Sequence, residues 1–309
     1  MRRIVILFLL GITQNLIAFS QSNIRINNYW ENTYYINPAS MISEYQYVAS
    51  LAAREQWISF PGAPQTEYFT FTSKLYTNKT HSTQIGQLGI KIFHDKIGYT
   101  NLFHLSPSYS YSVRLNMKWL LNLGAAYKIR STSYDLSKAT TQNVGDPVLN
   151  TTQTNWSNHN ADIGFEIISY SMLIGFSSQN FLSLFIDADN YQTNANFLYA
   201  IFKTELDETF NLLSGVSFIN NHNLFQTEIK LSLVTSSRHF PNFEVGAFYR
   251  TTKEFGVLFG VDIVNNLRLA FSYDYNVSGI IHSSYGTPEA LLIWKLGKIR
   301  NCECEDLFR

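Results

Sequence analysis

The sequence predicts an all-β fold: a transmembrane antiparallel β-barrel of about fourteen strands, preceded by an N-terminal signal peptide. Three observations lead there. Composition is the first: of 309 residues only 15% are charged, and aromatics also reach 15%, with 23 Phe and 19 Tyr. Soluble proteins average roughly 25% charged residues. Mean hydropathy is nonetheless slightly negative, which does not fit a helical membrane protein. The second observation is strand periodicity sustained over unusually long segments, and the third is the parity of the connections between them. A soluble β-sandwich shares the composition, so the choice rests on the other two.

The first residues, "MRRIVILFLLGITQNLIAFSQS", carry two arginines, an apolar run from Ile4 to Leu10, and small residues near Ala18 and Ser20. This is the layout of a secretory signal peptide, expected over residues 1–20 with cleavage after Ser20. Thr13, Gln14 and Asn15 break the apolar run well short of the ~20 residues a helical span needs. A mature chain that enters a membrane without apolar helices must do so as a closed barrel. Residues 21–45 are expected as a periplasmic segment, 46–298 as the barrel, and 299–309 as a periplasmic tail.

"MKWLLNLGAAYKI" places Met117, Trp119, Leu121, Leu123, Ala125, Tyr127 and Ile129 on one face. "EFGVLFGVDIV" does the same with Phe255, Val257, Phe259, Val261 and Ile263, and "NLRLAFSYDYN" with Leu267, Leu269, Phe271, Tyr273 and Tyr275. Period two marks strands, and ten or more residues is the length of a tilted membrane strand, ~9–11 residues. Such segments are expected to begin near Tyr47, Gln65, Gln84, Thr100, Met117, Asn158, Tyr170, Phe197, Thr209, Asn223, Asn242, Glu254, Asn266 and Thr287. Long connections follow the first, fifth, seventh and thirteenth segments; tight ones follow the fourth, sixth, eighth and twelfth. Outer-membrane barrels alternate in this way, with long outside loops and short periplasmic turns.

Opposite the apolar faces lie Glu166, Glu228, Lys230, Glu244, Arg250, Asp262, Arg268 and Asp274, which a barrel would turn to its lumen. Tyr68, Trp119, Tyr127, Tyr249, Tyr273 and Trp294 are expected in interfacial girdles. The chain is electrically balanced, with 23 basic and 23 acidic residues, so no basic excess points to nucleic acid. There is no nucleophile elbow, zinc-protease helix or phosphate loop. The seven histidines are scattered, and Cys302 and Cys304 are too close in sequence for a comfortable disulfide. No catalytic residue, cofactor or metal is assigned, and the chain is expected not to be an enzyme. Two rivals differ from this in kind: a channel for small solutes, and a lipid-modifying enzyme with a Ser/His pair at the membrane rim.

"REQWISFPGAPQT", Arg54–Thr66, lies between the first two strands as the first outside loop. Pro61 and Pro64 end strand pairing there, and Gly62 permits a tight reversal. Trp57 and Phe60 are costly to leave in water, so the hook is expected to fold over or into the mouth.

"YYINPAS" (Tyr34–Ser40) followed by "QWISFPGAPQT" resembles the opening of the PorP/SprF family of type IX secretion proteins. "LGIKIFHDKIGYTN", "LSPSYSYSVRL", "LNLGAAYKI" and "SYDYNVSGI" are similar to later stretches of that family. Pro288 stands where members often have a histidine. The resemblance implies an outer-membrane barrel of Bacteroidetes, exported by Sec and embedded in outer-membrane lipid. It implies service to the type IX machinery or a linked gliding adhesin. Implied partners are a secreted protein with a C-terminal type IX signal domain and periplasmic machine components. Asn37, Pro38, Ala39, Gln56, Trp57, Pro61, Gly62, Ala63, Pro64 and Thr66 match its motifs, as structural or partner-binding residues.

Overall fold

The computed structural model describes residues 26–41, 45–76, 84–116, 118–135, 155–186, 192–221, 224–235, 242–277 and 284–298. The expected signal peptide and the tail with Cys302 and Cys304 lie outside them. Fourteen strands form one closed antiparallel barrel in sequence order. They are β1 (Tyr45–Glu55), β2 (Gln65–Tyr76), β3 (Gln84–Ile97), β4 (Thr100–Arg114), β5 (Leu120–Tyr134), β6 (Asn155–Ile168) and β7 (Met172–Gln179). The circuit continues through β8 (Ala195–Glu205), β9 (Phe210–Asn221), β10 (Leu224–Thr235), β11 (Phe243–Arg250), β12 (Glu254–Val264), β13 (Leu267–Asn276) and β14 (Thr287–Lys298). Each strand begins within three residues of its sequence-based position. β1 closes the cylinder on β14, in register from Tyr45↔Lys298 to Arg54↔Glu289. Among the described residues no helix is long and apolar enough to cross a membrane.

Alternation sorts side chains by face. On β12, Phe255, Val257 and Phe259 point out, while Glu254, Gly256, Leu258 and Gly260 point in and are buried. Outward positions on β10 are Phe225, Ile229, Leu231 and Leu233, against inward Gln226, Glu228, Lys230 and Ser232. The outside is an apolar band and the inside a polar one, the reverse of a soluble core. Tyr127, Tyr249 and Trp294 face out as expected. Tyr68 does not: even positions of β2 face the lumen, so Tyr68 is buried against Tyr35 at 4.5 Å between ring centroids.

The connections 56–64, 135–154, 180–194 and 277–286 fall at one end, here the hook end. The same end also carries the tight turns 98–99 and 251–253, so length parity is a tendency of that end. The other end holds Tyr45 and Lys298, where the barrel's first and last strands meet.

The lumen is filled by residues 26–41, not left as a separate periplasmic segment. Two short 3-10 turns, Asn28–Trp30 and Thr33–Tyr35, fold this stretch compactly. Ile26, Tyr29, Trp30, Tyr35 and Ile36 pack with inward residues of the wall, among them Leu173, Tyr199, Ile201 and Leu291. The expectation for 21–45 is corrected over these residues: their polar atoms find partners on the inner wall that a free segment would lack.

If the outward face meets lipid, Phe259→Arg at the middle of β12 should cost about 2–4 kcal/mol. Urea unfolding in lipid vesicles measures this, and an unchanged midpoint would mean that the face is not in hydrocarbon.

Candidate functional site

Two structures carry the sequence motifs: the plug inside the barrel and the hook on its rim. The plug begins near the hook end. Asn27 and Asn28 donate their backbone N–H groups to the two oxygens of Glu289 at 2.6 and 2.9 Å. The Asn27 side chain donates to Asp274 at 2.8 Å and accepts from Arg250 at 2.9 Å. Arg250 also pairs with Glu228, which accepts from both Tyr29 and Trp30. Buried charge is tolerated only when paired and hydrogen-bonded, and each of these carboxylates is.

Glu31 lies further down, in a fork of Arg268. The guanidinium donates to both of its oxygens, at 2.9 and 2.7 Å. Arg268 also reaches Glu244 at 2.9 Å and Asp262 at 3.1 Å, and Lys230 pairs with Glu244 at 2.7 Å. Burial opposes ionisation of Glu31, but Arg268 and then Lys230 outweigh it and hold the carboxyl well below the usual carboxylate range. Burial pushes the Tyr34 phenol up to about 12; its hydroxyl pairs with Ser108 at 2.6 Å.

The Asn-Pro-Ala motif closes the plug. Asn37 accepts the backbone N–H of Ala39 on its side-chain oxygen at 2.9 Å. That is an Asx turn, with Pro38 fixing φ between the two. The Asn37 amide donates to the Phe165 carbonyl and the Tyr199 hydroxyl, both at 3.0 Å, and Tyr199 donates to Glu166 at 2.7 Å. Asn37 and Ala39 are fully buried. The wall makes room with glycine: a Cβ on Gly124 would strike Pro38 and Ala39, and one on Gly164 would strike Asn37. Between plug and wall remains a cavity of about 190 Å³, lined by Trp30, Tyr34, Thr72, Ile201 and Lys230 among others.

The hook is held at the rim by bonds to neighbouring connections, so of the two placements expected, over the mouth or into it, insertion into the lumen is not the one found. Its ends belong to the wall: Gln56 accepts from Arg54 at 2.9 Å, and Thr66 donates to Asp95 at 2.6 Å. Its body is tied into neighbouring connections. Gly98 N–H donates to the Gly62 carbonyl at 3.0 Å, and Ile58 exchanges backbone bonds with Gly286 and Tyr285 at 2.9 and 3.1 Å. Trp57 and Ser59 are left-handed at φ 54° and 74°, and Gly62 stands at φ 75°. Non-glycine residues hold that conformation only where surrounding contacts fix it, so the hook has one defined shape. Trp57 is half-buried, edge-on to Phe60 at 6.5 Å. Phe60 is 46% exposed, and Pro61 and Gly62 are exposed beside it.

The motif residues therefore do not form one site. Asn37, Pro38 and Ala39 lie in the plug, Gln56 and Thr66 in the upper wall, and Trp57, Pro61, Gly62, Ala63 and Pro64 on the rim. Sequence reasoning placed the inward charges Glu166, Glu228, Lys230, Glu244, Arg250, Arg268 and Asp274 correctly. It missed Glu31, Lys91, Asp162 and Glu289 as lumen charges. It also missed that glycines on the polar face, Gly124 and Gly164 above all, mark the path of a second chain segment.

The family described as "Type IX secretion system membrane protein PorP/SprF" matches residues 18–294. No curated protein matches the sequence. Among solved structures, the Ralstonia pickettii toluene transporter TbuX superposes with a TM-score of 0.52 at 8% identity, covering 85% of this chain and 92% of its own. The Pseudomonas putida toluene transporter TodX gives 0.48 at 8%, covering 85% and 92%. A Pseudomonas aeruginosa FadL homologue gives 0.46 at 9%, covering 83% and 91%. The likeness to TbuX is one of fold.

Gly124→Ala should lift the Asn-Pro-Ala turn off the wall and raise ion conductance in planar bilayers above the wild-type level. Equal conductance would mean that this turn does not seal the lumen. The pH dependence has a definite sign. A carboxyl whose folded pKa is depressed stabilises above its unfolded pKa, about 4.3 for Glu, and loses that contribution as pH falls below it. Wild-type conductance should therefore stay constant from about pH 7 to 5 as far as Glu31 is concerned, and Glu31→Gln should raise it across that range.

Proposed function

This chain belongs to the PorP/SprF family of type IX secretion system membrane proteins, and we propose that it serves that system without catalysing a reaction. It sits in the outer membrane of a Bacteroidetes bacterium, reached through Sec export. Its work is protein recognition. The rim at the hook end holds a secreted, adhesin-like protein through its C-terminal signal domain, for export or surface anchoring in gliding. The opposite end docks on periplasmic machine components.

The filled lumen is the observation that carries this reading. A barrel whose bore is occupied by its own chain offers rims rather than a passage. The hook is the rim element best suited to contact: its backbone is fixed, so little conformational entropy is lost on binding, and Phe60 is a half-exposed aromatic of the kind that anchors interfaces. A channel for small solutes is the second reading, favoured by the cavity of about 190 Å³ beside the plug.

Phe60→Ala removes the aromatic and leaves the hook's backbone bonds in place. Surface display of a type IX cargo should fall several-fold, with heat-modifiable gel mobility of the barrel unchanged. Full display with a normally inserted barrel would remove the hook from the export role.

A further inference from the structure

Strand β6 outruns one of its neighbours at the hook end. β5 runs beside it over its whole length, from Ser133↔Asn155 to Leu120↔Ile168. β7 pairs only with residues 163–168 of β6 and ends at Gln179. The 3-10 turn Phe181–Leu184 then covers the next stretch of β6. Leu182 donates its N–H to the Asn160 side chain at 3.0 Å, and Asn180 donates its own to Asp162 at 2.9 Å. The same Asn160 oxygen accepts the N–H of Ala161 at 2.9 Å. Nearer the rim, the side of β6 turned away from β5 meets no strand among the described residues.

Backbone parity fixes which groups are open there. In an antiparallel ladder, alternate residues exchange both of their bonds with a given neighbour. At the other end of the pair, Ser169 donates its N–H to the Met172 carbonyl at 2.8 Å, so odd residues of β6 address the β7 side. The register with β5 is unbroken as far as Asn155. Asn155, Ser157 and His159 therefore still aim N–H and C=O toward that side. Their side chains point outward and are exposed. They are polar, whereas Ile163, Phe165 and Ile167 further down the same face are apolar, so this stretch stands above the apolar band. It must, because open sheet edges do not occur in hydrocarbon. Proteins blunt exposed edges with proline, lysine or a bulge. The sequence "NWSNH" over 155–159 has neither residue, and its pairing with β5 has no bulge.

We propose that this edge of β6 receives an extended segment of the exported protein by strand addition. Donors and acceptors repeating every second residue along one line are matched by another extended chain. A helix has bonded its own backbone groups internally, and a lipid carries none at that spacing. The edge lies at the same end as the hook, the end assigned above to the exported protein. The inference rests on that reading and adds to it a second contact, made through backbone rather than through an aromatic anchor.

A proline on the open side separates backbone recognition from side-chain recognition. Ser157→Pro deletes an N–H that faces away from β5 and leaves the β5 ladder whole, so heat-modifiable gel mobility should match wild type. Ser157→Ala keeps the N–H. The probe is the purified C-terminal signal domain of a type IX cargo from the same cell, titrated against the full-length mature barrel in detergent. Ser157→Pro should weaken binding about tenfold or more, and Ser157→Ala should bind like wild type. In living cells, a photo-crosslinker at Asn155 should join the cargo, and adding Ser157→Pro should abolish that adduct. Should Ser157→Pro fail to insert, the crosslink at Asn155 decides alone. Wild-type binding by Ser157→Pro, or an adduct formed only within this chain, overturns the proposal. If Phe60→Ala lowers cargo display while Ser157→Pro binds normally, strand addition fails and the export role stands. If the wild-type barrel does not bind the signal domain and Phe60→Ala leaves display unchanged, both fail.

Discussion

A chain that crosses hydrocarbon must bond every backbone N–H and C=O to itself. For strands this is met only by closing the sheet, and every other feature here follows from that closure. The seam between β1 and β14 runs nine paired positions from Tyr45↔Lys298 to Arg54↔Glu289, so no edge strand is left. Closure creates an inside, and alternation turns one side of every strand into it, charged residues included. Glu228, Glu244, Arg250 and Arg268 are buried there and must be neutralised within the bore.

The N-terminal segment answers that demand with chemistry cut to the wall. Glu31 enters the Arg268 fork, the Asn27 and Asn28 amides cap Glu289, and Tyr29 and Trp30 complete Glu228. Removing one member of such a network leaves an uncompensated buried charge, which costs more than the pair itself contributes. The plug is thus the counter-charge of the barrel as much as its stopper. Asn-Pro-Ala then acquires a physical meaning: an Asx turn held by a rigid proline, lying on glycines that give it room. With the bore occupied, the structured surface left for partners is the rim, where the hook is fixed by bonds to Gly98, Tyr285 and Gly286.

The barrel was legible because its cause is periodic. Period two with apolar residues outward reads directly from segments such as Glu254–Val264, and the strand starts needed only local information. Tyr68 shows the limit: the aromatic suits a girdle by type, and only its even position on β2 puts it inside. The plug was less legible because it is not periodic. Residues 26–41 look like a polar linker, and their partners are long-range: Glu31 and Arg268 are 237 residues apart. A trace existed in Gly124 and Gly164, inward glycines with no reason to be small unless something lies against them. The hook's shape was foreseeable from Pro61, Gly62 and Pro64. Which of the two expected placements it would take, over the mouth or into it, was not, since the lumen is taken by a segment that sequence periodicity does not reveal.

Hydrogen–deuterium exchange on the protein in lipid tests the central claim most directly. A plug seated on the inner wall predicts that the amides of Asn27, Asn28 and Ala39 exchange slowly, close to the strand amides. Exchange across residues 26–41 as fast as in a free peptide, with the strands still protected, would contradict it.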